Sequence, residues 1–110
     1  MDFKYCKLEI FIPETHITQL QKALQSVDAG HIGKYDSCMS CSQLISYWRP
    51  LDGTDPYIGK AGEVSCEPEA KVEVTVYTEK VEETIRAIKE VHPYEEPVIN
   101  ALPIYKTSFL

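Results

Sequence analysis

Basic residues are scarce in this chain: 11 Lys and Arg stand against 17 Asp and Glu, a formal charge of −6 at neutral pH. A surface of that balance does not neutralise phosphates, which argues against a nucleic-acid partner. Long apolar runs are missing as well. Nothing approaches the ~20 residues of a membrane span, and the amino-terminal stretch Met1 to Lys7 threads charges through its length with no apolar core of an export signal behind it. No membrane partner is expected, and the cytoplasm is the expected location. Glycine, at five residues, and proline, at seven, are too few for a low-complexity chain. Histidine occurs only three times, too rarely for a histidine-rich metal centre. The four cysteines, Cys6, Cys38, Cys41 and Cys66, are expected to remain thiols in a reducing compartment.

What is present is a pattern that runs twice. Cys6, Leu8, Ile10 and Ile12 alternate with polar or aromatic neighbours, the period of a strand with one buried face. After Pro13 the period changes. Ile17, Leu20, Leu24 and Val27 form one helical stripe within 14–27, and Gly30 follows as a stop. Residues 35–48 are aromatic and β-favouring and read as a long strand or a hairpin. The second half repeats the order: Val72, Val74 and Val76 alternate, Val81, Ile85, Ile88 and Val91 make a second helical stripe with Thr78 as its N-cap, and 98–105 closes as a strand. Two successive β-α-β units imply an α+β, ferredoxin-like β-α-β-β-α-β fold: one mainly antiparallel sheet with both helices on one face, in a single domain over 1–110. Residues 49–69 carry Pro50, Gly53, Pro56, Gly59, Gly62 and Pro68 and are expected to be a long loop or a protruding hairpin.

Chemistry concentrates at His92-Pro93-Tyr94-Glu95-Glu96-Pro97. The prolines force a stiff corner at the end of the second helix, where carbonyl ends favour a cation. His92, Glu95 and Glu96 are therefore candidate ligands for a divalent metal or for a ligand's amine; against that stands a structural reading in which the turn sets strand register and Tyr94 is a packing anchor. Cys38-Met39-Ser40-Cys41 has the spacing of a zinc knuckle or redox pair, but residues three apart on a strand face opposite ways and no second such pair exists. Gly30-His31-Ile32-Gly33 and Gly59-Lys60-Ala61-Gly62 have glycines at turn spacing, without the Gly-Lys-Ser/Thr that opens a phosphate-binding helix. No nucleophile with a base beside it is legible, so no catalytic residue is assigned.

Three blocks, 29–38 (Ala-Gly-His-Ile-Gly-Lys-Tyr-Asp-Ser-Cys), 48–63 (Trp-Arg-Pro-Leu-Asp-Gly-Thr-Asp-Pro-Tyr-Ile-Gly-Lys-Ala-Gly-Glu) and 92–97, together resemble the insert domain of the YqfO-type proteins, also called dinuclear metal centre proteins or type 2 GTP cyclohydrolase I homologues. The resemblance runs from Gly30 onward and implies a fold similar to the PII and CutA proteins, which commonly trimerise and hold ligands in clefts between subunits. The candidate ligand or interface residues are His92, Tyr94, Glu95, Glu96, His31 and Tyr35, with Cys38 a further possible metal ligand. The long family members carry their two-metal site in a flanking domain that has no counterpart here, so a hydrolase activity is not carried over. Met39-Ser40-Cys41 departs from the family's usual Ser-Phe after the cysteine. The expectation is a non-catalytic, homo-oligomeric binding or regulatory module, a trimer rather than a dimer; the alternatives are a CutA-type metal-binding or metal-tolerance protein and an enzyme whose site is shared across a subunit boundary.

Overall fold

The alternation in the first and third strands builds the core directly. In the computed structural model, which describes residues 3–108, β1 (Tyr5–Ile12) pairs antiparallel with β3 (Ser65–Tyr77), so that Cys6 faces Val76, Leu8 faces Val74, Ile10 faces Val72 and Ile12 faces Ala70. All eight side chains are buried. Helix α1 (Ile17–Ser26) adds Leu20 and Leu24, and α2 (Val81–Val91) adds Ile88. Each such side chain gains about 1.5–3 kcal/mol by leaving water. Strands β2 (Ser40–Trp48) and β4 (Ile99–Ile104) flank this pair, giving the sheet order β2-β3-β1-β4 with every neighbour antiparallel. The two helices pack on each other and cover one face, the ferredoxin-like arrangement that the doubled pattern implies.

Both helices begin in a short tight turn, Glu14–His16 and Thr78–Lys80, and neither has a side-chain N-cap. Thr78 is therefore not the cap its position suggests. Its hydroxyl instead donates to the Phe3 carbonyl at 2.7 Å and lies 3.3 Å from the Cys6 sulfur, tying the start of α2 to the start of β1. Thr84, a polar residue on the buried stripe of α2, is satisfied by donating to the Lys80 carbonyl at 2.7 Å.

The extended stretch expected over 35–48 becomes a strand only at Ser40. Within 35–39, Ser37 has φ +59, and a residue in the left-handed region interrupts a pleated strand. β3, by contrast, starts at Ser65 and runs beyond the last β1 pairing, Ile12 with Ala70, so β2 and β3 project together past the rest of the sheet. Pro68 is accommodated there because β3 at that point has β2 alone as a neighbour. The remaining 49–64 loops back from the hairpin tip. The molecule is accordingly elongated, 50 × 30 × 23 Å. No helix among the described residues is long and apolar enough to cross a membrane.

Candidate functional site

The corner after α2 is organised by His92. Pro93 drives His92 into an extended conformation (φ −75, ψ 127) while its own N–H still donates to the Ile88 carbonyl, which ends the helix and turns the ring inward. The imidazole is buried, with Nε2–H donating to the Phe11 carbonyl at 2.6 Å and Nδ1 accepting the Tyr94 N–H at 3.2 Å. Those two bonds select the neutral tautomer with its proton on Nε2. Burial holds the pKa below its ordinary value and outweighs the opposing pull of the Phe11 carbonyl. His92 thus braces the corner against β1 with both ring nitrogens engaged.

Tyr94, held by that brace, enters an aromatic group. Its ring centroid lies 5.0 Å from His92, 5.8 Å from Trp48 and 6.2 Å from Tyr57. Trp48 Nε1–H donates to the Ile58 carbonyl at 3.3 Å, and Tyr57 meets His16 edge-on at 5.8 Å, so the 49–64 loop is folded down onto the corner. Glu95 completes the closure by accepting the Asp55 N–H at 3.1 Å.

Beneath the loop is a cavity of about 420 Å³, roofed by Pro50, Thr54, Pro56, Tyr57 and Ile58, walled by Ser46, Tyr47 and Trp48 of β2, Phe11 and Val98, and bordered by Tyr94, Glu69, Glu95 and Glu96. That volume falls within the range of about 300–1,000 Å³ for small-molecule sites. Glu69 is 97% buried (3% exposed). The ion pairs among the described residues join Lys7 and Lys71 to Glu9 and Glu73, and His31 to Asp28, leaving Glu69 without one. The Tyr94 hydroxyl is buried without a hydrogen-bond partner among the described residues. Burial pushes its pKa up, and the neighbouring Glu69 carboxylate pushes it further, although the two do not meet in ordinary hydrogen-bond geometry.

His92, Tyr94, Glu95 and Glu96 are brought together at this end of the sheet; His31 and Tyr35 are not. Along β1, Tyr5 and Phe11 lie six residues apart, or about 20 Å. His31 borders a shallow recess with Tyr5 and Tyr77 at the far end, while Tyr35 is 74% exposed and bridges back to Ile32. The His31 ring bonds to Asp28 and to the Gly33 carbonyl, each at 2.9 Å, and Asp28 raises its pKa. No three His, Cys, Asp or Glu side chains among the described residues converge as metal ligands, and the four cysteines are free thiols. Glu69, Trp48, Tyr57 and Phe11 were not legible as site residues. The one signal for Glu69 was its place out of phase with Ala70, Val72 and Val74, which turns it away from the helices.

The fold, two helices on one face of a four-stranded antiparallel sheet, is the one found in CutA and PII-like proteins. A family model described as the CutA1 divalent ion tolerance protein matches residues 57–109. Relatives named GTP cyclohydrolase 1 type 2 homolog are 38% identical over 102 residues in Bacillus subtilis, 92% of this chain and 27% of theirs, and 38% identical over 98 residues in Halalkalibacterium halodurans, 89% and 26%. A Bacillus cereus protein related to NIF3 superposes with a TM-score of 0.82 at 28% identity, covering 94% of this chain and 26% of that one. The periplasmic divalent cation tolerance protein CutA of Archaeoglobus fulgidus superposes at 0.70 with 20% identity over 94% and 86%, a likeness of fold. The chain is similar to one segment of the GTP cyclohydrolase 1 type 2 homologs and spans about a quarter of their length.

Proposed function

We propose that this chain is a non-catalytic binding or regulatory module, cytoplasmic and homo-oligomeric, whose ligand occupies the pocket under the 49–64 loop. The observation that carries the reading is that roof. A loop rich in breakers is held down at Trp48, Tyr57 and Glu95 over an aromatic cavity, and a chain orders such a segment at an entropic cost that a binding role explains. His92, with both nitrogens engaged, serves as a support for Tyr94 rather than as an acid or base. The test is a metabolite screen by thermal shift. A set of compounds that raises the melting temperature and perturbs Trp48 supports the reading; a screen in which nothing moves Trp48 counts against it.

A second reading, CutA-type metal binding through His92, Glu95 and Glu96, is favoured by the family model's description. It requires His92 to release the Phe11 carbonyl or the Tyr94 N–H. Metal analysis of protein purified without a histidine tag separates the two readings: stoichiometric metal supports this one.

The homo-oligomer, a trimer rather than a dimer, is supported by the projecting hairpin, where Ile45 and Tyr47 are 62% and 68% exposed on an edge strand. Edge strands with apolar side chains gain by being covered.

A further inference from the structure

Resting on the binding-module reading, we propose that the ligand in the roofed pocket is a small organic cation, an amine or quaternary ammonium on an apolar body. The charge of the lining points to it. Glu69, Glu95 and Glu96 border the cavity, and among the described residues the lining contains no Lys, Arg or His. Glu69 is the decisive group: it is 97% buried (3% exposed) and has no ion-pair partner among the described residues. A buried carboxylate without a counter-charge is costly. Lys71, two residues along the same face of β3, turns its Nζ to Glu73 at 3.4 Å and Glu9 at 4.0 Å instead. The counter-charge is therefore left to a ligand.

The rest of the lining says what kind of cation. Divalent metals ask for several converging oxygen or nitrogen donors, and no three acidic, histidine or cysteine side chains converge among the described residues. An ammonium needs less: one carboxylate and aromatic faces, with the cation within about 6 Å of a ring. Trp48, Tyr57 and Tyr94 supply the rings, and Phe11, Val98 and Ile58 supply walls for an apolar body. The unpartnered Tyr94 hydroxyl offers a further acceptor.

Trp48 is the one tryptophan of the chain and lines the pocket, so its fluorescence reports occupancy without a label. Benzylammonium, benzyl alcohol and benzoate are titrated into the full chain, alongside benzyltrimethylammonium and zinc chloride. The expected result is that both ammonium compounds bind at least tenfold more tightly than the alcohol, that benzoate does not bind, and that Glu69→Gln brings amine and alcohol within threefold. Glu96→Gln, at an exposed position, should lower amine affinity less than Glu69→Gln; should Glu69→Gln not fold, amine-induced shifts of the Tyr94 and Glu69 NMR signals in the unmodified protein carry the same information. Equal binding of amine and alcohol would overturn the cation assignment and leave the binding-module reading standing. Silence of Trp48 toward every organic probe would overturn both, and a response to zinc alone would favour the metal reading.

Discussion

His92 shows how one side chain decides the local architecture. Its ring connects the end of α2 to the Phe11 carbonyl near the end of β1 and to the backbone of Tyr94. Replacing it by Ala strands a buried acceptor and a donor, a loss expected at about 2–4 kcal/mol in denaturant unfolding. The pH dependence has a definite sign. Burial lowers the folded-state pKa from its ordinary 6.5, so the unfolded chain binds this proton more readily. Stability is then complete above about 6.5 and declines as pH falls toward the folded-state pKa. His31 works in the opposite sense, since Asp28 raises its pKa and its contribution is lost as pH rises. Comparing the unmodified chain with His92→Gln between pH 7.5 and 5 isolates the His92 component, and the variant should have the flatter profile. Tyr94 invites the complementary test. Its hydroxyl is buried without a partner among the described residues, so Tyr94→Phe should leave the ligand-free protein as stable or raise it by up to about 1 kcal/mol. A lower melting temperature would mean that the hydroxyl is satisfied after all.

Among elements, the connection from α1 to β2 is tightly constrained at Gly30. Gly30 has φ +78, its N–H donates to the Thr75 carbonyl at 3.0 Å, and its carbonyl accepts the Cys38 N–H at 3.0 Å. A Cβ at this position would run into the Cys38 carbonyl. Gly33, at φ +59, faces open space, and a methyl group there would meet nothing within 4 Å. Gly33→Ala should therefore cost about 1 kcal/mol from the left-handed backbone alone, while Gly30→Ala should cost about 3 kcal/mol because strain and collision add. Urea unfolding of the two variants side by side checks the difference; equal costs would mean that the turn around Gly30 relaxes freely. The β2–β3 hairpin is the other defining element, because its overhang supplies both the floor of the pocket and the edge proposed to meet another subunit.

At the scale of the whole molecule, the radius of gyration is 15.2 Å, against about 13 Å expected for a compact chain of this size. The excess comes from the overhanging hairpin and its return loop. The face of the sheet away from the helices is less apolar than its aromatic residues suggest, since Lys7, Glu9, Lys71 and Glu73 form a charge network across its centre. The exposed apolar pair Ile45 and Tyr47 is the better candidate for subunit contact. Light scattering at micromolar concentration should give an oligomer, with the mass of a trimer, and Ile45→Lys combined with Tyr47→Lys should shift it to monomers with little loss of monomer stability. A monodisperse monomer of the unmodified chain would refute the assembly.

Local patterning alone determined the fold class. Alternation at Cys6–Ile12 and at Val72–Val76, and helical stripes around Leu20 and Ile88, are each read within one element, because burial on one face imposes a period whatever the partner. The corner at 92–97 was legible for the same reason, since prolines act on adjacent backbone. The pocket was not. Phe11, Trp48, Tyr57, Glu69 and Tyr94 come from five separate stretches, and only the β1–β3 register, the overhang of the hairpin and the fold-back of its loop bring them to one cavity. The same register separates His31 and Tyr35 from the corner by about the length of β1, and it leaves Glu69 buried where alternation alone marks only a side chain turned from the helices. Such placement depends on contacts between residues distant in the chain, which no local period encodes.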